Sequence, residues 1–104
     1  MIKYALGLSD ELAEIAAYLT QFAEATAERF LDSCEESFDR IEKFPEMGSP
    51  RKFDEPELAS VRMALVKDFE NYLIFYVPID NGVRILHVIH SALDYNRIVD
   101  IGEL

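Results

Sequence analysis

His87 and His90 are the only histidines in this 104-residue chain, and a pair three residues apart suggests a metal site or acid/base work. On a regular strand, residues three apart point to opposite faces. The two rings therefore cannot share one ion, and too few other ligands converge for a metal site. Alternation groups His87 with Ile85 and Ile89, and His90 with Leu86 and Val88. One of the two is expected to face a helical layer as a hydrogen-bonded core histidine. Cys34, the single cysteine, sits in an apolar helical stripe beside Glu35 and Glu36. A nucleophilic thiol needs exposure and nearby positive charge, so Cys34 is read as core. No phosphate-cradling glycine loop, Gly-x-Ser-x-Gly, His-Glu-x-x-His or paired-cysteine motif occurs. The residues therefore point to no catalytic set, no metal and no cofactor.

Charge is the stronger signal. Twenty acidic side chains stand against ten Lys or Arg, a formal net charge of −10. So small and anionic a body repels phosphate backbones, which argues against direct nucleic-acid binding. Asp10, Glu11, Glu14, Glu24, Glu28, Asp32, Glu35, Glu36, Asp39 and Glu42 read as the wet face of helices. They match neither a Ca²⁺ loop nor a Glu-x-x-His di-metal pattern. Glu36 and Arg40 are spaced as an i,i+4 helix pair. An acidic helical layer would also attract a basic partner surface. The bases Arg51, Lys52, Arg62, Lys67, Arg84 and Arg97 gather in the C-terminal part, near Tyr72, Tyr76 and Tyr95. A sheet face of Arg and Tyr would grip RNA or dock an acidic peptide, and composition alone leaves both open.

These residues need elements to position them. Ile2, Tyr4 and Leu6 alternate as a short strand, and Ser9 offers an N-cap ahead of Asp10 and Glu11. Leu12, Ile15, Ala16, Leu19, Phe22 and Ala23 recur at helical spacing, as do Ala27, Phe30, Leu31, Cys34, Phe38 and Ile41. One helix from residue 9 to 44 would run about 50 Å, longer than the roughly 35 Å width of such a domain. A helix hairpin broken between Thr20 and Ala25 is therefore expected. Phe44-Pro45-Glu46-Met47-Gly48-Ser49-Pro50 forms a turn-rich exit, and Asp54-Glu55-Pro56 continues it. Strands then follow: Val61 to Val66, the run Tyr72 to Val77 suited to burial on both faces, and Val83 to His90. Asp80-Asn81-Gly82 supplies residues that tolerate positive φ in a tight hairpin. The reading is a single α+β domain over residues 1–104, built as strand, helix hairpin and three-stranded antiparallel unit.

Half of the residues are hydrophobic and 29% are charged, which places the chain among globular domains rather than disordered ones. The opening Met1–Leu8 is too short for a signal peptide. No apolar stretch approaches the roughly 20 residues of a membrane helix. A soluble cytoplasmic protein is expected, with no membrane partner.

This element order, with three local strings, resembles the ParE/RelE superfamily, the toxins of bacterial type II toxin–antitoxin (plasmid stabilisation) systems. The strings are Ala27-Glu28-Arg29-Phe30-Leu31-Asp32 leading to Phe44-Pro45-Glu46-Met47-Gly48, then Tyr72-Leu73-Ile74-Phe75-Tyr76, then Val88-Ile89-His90-Ser91-Ala92-Leu93-Asp94. Phe44, Pro45, Gly48 and His90 are the motif positions. The resemblance implies a cognate antitoxin that wraps the toxin, with Arg62, Lys67, Tyr76 and Arg84 as its expected contacts here. It implies one of two activities: ribosome-dependent mRNA cleavage in RelE-like members, or DNA gyrase poisoning without nuclease action in ParE-like ones. RelE-like cleavage resembles metal-free acid/base catalysis by cationic residues. Here Leu93 and Tyr72 stand where such members often carry Arg. The chain thus resembles ParE more closely, as an inhibitor rather than an enzyme, although Leu93 departs from the common ParE pattern too. Gyrase contact is carried over to Asp94, Tyr95, Asn96 and Arg97, for which an ordinary C-terminal tail is the alternative. A non-toxic interaction module is the third reading, and the resemblance leaves room for a homodimer.

Overall fold

A computed structural model describes residues 1–51 and 60–92. The elements run β1 (Ile2–Tyr4), α1 (Leu8–Thr20), α2 (Glu24–Lys43), β2 (Ser49–Pro50), β3 (Arg62–Val66), β4 (Phe69–Ile79) and β5 (Gly82–His90). The expected strand, helix hairpin and antiparallel unit are all present. Among the described residues the sheet has five strands rather than three, in the order β1-β5-β4-β3-β2. β1 joins parallel to β5, and the two-residue β2 extends the far edge along β3.

α1 starts earlier than Ser9 predicted. Gly7, at φ 87°, is its cap residue and no side chain caps it. The left-handed turn swings the chain from strand into helix, a conformation glycine adopts without Cβ strain. The hairpin break falls at Gln21–Ala23, inside the expected window. The N–H groups of Phe22 and Ala23 both close on the Leu19 carbonyl, and Ala23 is extended before α2 begins. Thr20 donates its hydroxyl to the Ala16 carbonyl at 2.8 Å, a back-bond that disfavours helix continuation. Phe22, assigned by spacing to the buried stripe, is 71% exposed because it lies in this connection.

α2 lays Ala27, Phe30, Cys34, Phe38 and Ile41 against the sheet. Phe30, Cys34, Phe38 and Ile41 share a core with Ala64, Val66, Tyr72, Ile74, Tyr76, Val83, Ile85 and Val88. The opposite sheet face gathers Val61, Phe75, Leu86 and Ile89 with Ala5. β4 is thus buried on both faces, as its continuous apolar run predicted. The Ser37 hydroxyl donates to the Ser33 carbonyl at 2.7 Å and accepts the Lys67 N–H at 3.0 Å. That bond ties α2 to the β3–β4 turn. Glu36 pairs with Lys67 at 3.0 Å rather than with Arg40.

Two details of β5 differ from simple alternation. Phe75 pairs with His87 but Tyr76 pairs with Ile85, leaving Leu86 as a bulge. The extra residue shifts the phase, so Ile85 and Val88 face the helices while Leu86 and Ile89 face away. The expected groupings, Ile85 with Ile89 and Leu86 with Val88, are therefore split. In the β4–β5 turn, Asn81 carries the positive φ of 65°, not Gly82. Gly82 is required for a different reason: a Cβ there would collide with the Met1 carbonyl, where β1 docks alongside.

Candidate partner-binding site

Of the four expected antitoxin contacts, two hold the Phe44–Gly48 motif from within. Arg62 and Tyr76 are partners across β3 and β4. The Tyr76 hydroxyl donates to the Pro45 carbonyl and accepts the Gly48 N–H, both at 2.8 Å. The Arg62 guanidinium donates to the Glu46 carbonyl at 3.0 Å and to the Gly48 carbonyl at 2.6 Å. Pro45 ends α2 by removing a helical donor, and these four bonds fix the direction in which the chain leaves. Gly48 is the close-approach residue: a Cβ would lie 2.6 Å from the Tyr76 hydroxyl and 2.9 Å from the Met63 carbonyl. Burial pushes the Tyr76 phenol above its ordinary 10.0, against the opposing pull of the Gly48 N–H and Arg62.

Tyr76 is therefore removed from the contact set, because it exposes none of its surface. Tyr72 is buried as well, stacked between Phe30 and the edge of the His90 ring. Among the described residues, Tyr72 and Tyr76 do not join an Arg and Tyr face, since both point into the helix-side core; Lys52, Tyr95 and Arg97 lie outside the described residues. Lys67 reaches Glu36 in an exposed pair, which contributes little to stability. Arg84 remains exposed, with no ion-pair partner among the described residues.

The parallel pairing of β1 and β5 sets Lys3 in register with Arg84. Neighbouring strands lie about 4.8 Å apart, so two exposed cations stand side by side on the face away from the helices. Sequence reasoning missed Lys3, because no local pattern announces that its strand pairs with one 81 residues away. Phe44 is 63% exposed at the end of α2. The His90 Nδ1 accepts the Ala92 N–H at 3.0 Å. Asp94, Tyr95, Asn96 and Arg97 lie outside the described residues, as does Leu93.

Glu11, read from the sequence as a helix-dipole acid on the wet helix face, is instead turned toward β5, with its side chain 14% exposed. Its carboxylate accepts the Val88 N–H at 2.6 Å and contacts His87 Nδ1 at 3.0 Å. β1 ends at Tyr4, so among the described residues the β5 edge beyond Ile85 has no strand partner, and there the Glu11 carboxylate of α1 takes the Val88 N–H. Glu11→Ala should lower the unfolding free energy by about 2 kcal/mol in urea titrations, because that backbone donor loses a charged acceptor. Glu11→Gln, which keeps an acceptor, should lose less.

Cys34 is 1% exposed, and burial pushes its thiol up to about 12. That protonation state is inert as a nucleophile or metal ligand. Among the described residues no group of three or more His, Cys, Asp or Glu is arranged to hold a metal. No described helix is long and apolar enough to cross a membrane.

The chain was compared with known proteins. A family model described as the ParE toxin of type II toxin–antitoxin system, parDE, matches residues 2–95. No curated protein matches the sequence. Among solved structures, a chain of a chromosomal ParDE TA system from P. aeruginosa is similar with a TM-score of 0.66. The likeness covers 86% of this chain and 92% of that one at 14% identity, which speaks for the fold alone.

Proposed function

From the premise that this chain belongs to the ParE toxin family of type II toxin–antitoxin systems, we propose that it acts by protein binding. In this reading it inhibits DNA gyrase in the cytoplasm when free and is neutralised by a cognate antitoxin. The observation that carries it is the family match across residues 2–95. The electrostatics agree with it. A body of net charge −10 is repelled by ribosomal RNA. Two of its cations are already engaged, Arg62 of β3 on backbone carbonyls and Lys67 of the β3–β4 turn on Glu36. They are not gathered around a space where a scissile phosphate would sit.

Within the described strands, Lys3 and Arg84 are the cations left to meet an acidic stretch of antitoxin. Adjacent like charges repel until a carboxylate comes between them. Expression of the chain alone in a bacterium should arrest growth, and co-expression of the adjacent reading frame should restore it. Unarrested growth would favour the non-toxic interaction module instead. Arg84→Glu should weaken antitoxin binding by about tenfold, as expected for reversal of a desolvated charge contact. Titration calorimetry that finds unchanged affinity would remove Arg84 from the interface.

A further inference from the structure

The two faces of the sheet are closed in different ways. On one, Leu8 of α1 and the apolar stripe of α2 complete the core. On the other, Val61, Phe75, Leu86 and Ile89 are buried with Ala5, and Met63, Leu73 and Val77 pack half-buried against them. None of these eight residues comes from a helix. All lie on the strands or next to their ends, so none lies across the others. A sheet face without a covering layer is wet. Yet Phe75 is 0% exposed, Val61 1% and Ile89 3%. This burial belongs to one chain alone, so the cover is part of that chain and needs no second copy.

Two stretches lie outside the described residues, 52–59 and 93–104. The first joins β2 to β3 at one edge of the sheet, beside Val61. Ala5, Leu86 and Ile89 belong to the other side, where β5 lies about 10 Å from β3 at ordinary strand spacing. The second stretch starts next to Ile89. There the Ser91 N–H donates to the Asn71 carbonyl at 2.7 Å and ties the exit of β5 to β4. Its twelve residues reach about 40 Å if extended or about 18 Å as a helix. From Ile89 back to Leu86 is only about 10 Å along β5. The stretch carries Ile98, Val99 and Ile101 as a close apolar cluster. Its acids Asp94, Asp100 and Glu103 outnumber Arg97, which suits a face bordered by Lys3 and Arg84.

We infer that the sheet face away from the helices seats the chain's own segment Leu93–Leu104, anchored by its Ile98–Ile101 cluster over Phe75, Leu86 and Ile89. The seat requires neither antitoxin nor target. Taken with the gyrase reading, on which this second step rests, it gives Asp94–Arg97 a fixed place. These four residues then span the gap between β5 and an anchored cluster, and the cluster positions them for contact.

The test uses the full chain with photoreactive benzoylphenylalanine in place of Leu73, which is half-buried on this face and paired with Ile89. Irradiation, digestion and mass spectrometry should join position 73 to a peptide from 93–104 of the same molecule. The same group in place of Leu31, exposed on α2, should give no such product. Thiol labelling is an independent measure, because Cys34 is buried and slow to react. Ile98→Cys, Val99→Cys and Ile101→Cys are made one at a time. At least one should react about tenfold more slowly than Met47→Cys, at an exposed position, and lose that protection in urea. Cross-links that reach only 52–59, or that join two chains, would overturn the seat. Unprotected labelling at all three positions would overturn it too. Ile98→Glu with Ile101→Glu should weaken gyrase inhibition about tenfold, because the anchors place the contact residues. Inhibition that ignores this change would overturn the positioning step and leave the seat standing. A wild type that is cross-linked as expected but never inhibits gyrase would remove the target reading alone.

Discussion

Replacing Tyr76 by phenylalanine should lower the unfolding free energy by about 2–4 kcal/mol while leaving the ring in place. The lost hydroxyl bridges the Pro45 carbonyl and the Gly48 N–H. The buried Gly48 N–H would be stranded and the part-buried Pro45 carbonyl would lose its donor, and a buried orphan costs roughly 1–3 kcal/mol. The hydrophobic contribution of Tyr76 survives the change, so a large effect isolates the hydrogen bonds from the packing. Chemical denaturation of the two proteins at neutral pH reads it directly. A loss under about 0.5 kcal/mol would mean that the exit of α2 is held by Arg62 and the Pro45 turn without help. The motif from Phe44 to Gly48 would then owe its geometry to the chain itself.

The second large effect is alkaline. In the unfolded chain the Cys34 thiol titrates at its ordinary 9.0, and in the fold burial pushes it up to about 12. Below pH 9 both states hold the proton, and the thiol makes stability independent of pH. Between 9 and 12 the unfolded chain releases a proton that the folded one keeps. Stability therefore falls as pH rises, by about 1.4 kcal/mol per pH unit and by ~4 kcal/mol across the window. Above 12 the thiol adds no further slope. Burial also raises Tyr4, Tyr72 and Tyr76 from 10.0, so they steepen the decline from pH 10 upward. Cys34→Ala should be less stable than wild type at pH 8, because it opens a small cavity. Its stability should nonetheless stay level to about pH 10. If urea midpoints of the two proteins instead fall in parallel from pH 9, the thiol is not the group responsible.

The helix hairpin was legible because two apolar stripes at helical spacing could not share one straight rod in so short a chain. The position of its break was legible only as a window, since Gln21-Phe22-Ala23 contains neither Gly nor Pro. The β4–β5 hairpin was announced by Asp80-Asn81-Gly82. The β3–β4 hairpin was not, because Lys67-Asp68 makes its turn with Asp68 at φ 64°, a conformation Asp tolerates without advertising it. The parallel docking of β1 on β5 brings residues 2–4 beside 83–85, a contact that no local pattern can encode. The β5 bulge reversed the expected grouping of its side chains for a similar reason: one unpaired residue in the partner register flips every later position.

The candidate site was harder to read for a chemical reason. Tyr and Arg serve equally as surface contacts and as internal hydrogen-bond donors. Composition placed Tyr76 and Arg62 on a binding face, whereas the fold turns both toward the backbone of the α2 exit. Lys3 beside Arg84 becomes visible only once the two strands are side by side. What the sequence did supply was the sign of the charge, and that constraint carries into the functional reading.

The most direct measurement is DNA gyrase supercoiling in the presence of the purified chain. The expected result is inhibition in proportion to the chain added, reversed by the product of the adjacent reading frame, with transcripts on translating ribosomes left whole. Full gyrase activity at every concentration, together with cut transcripts, would contradict the account.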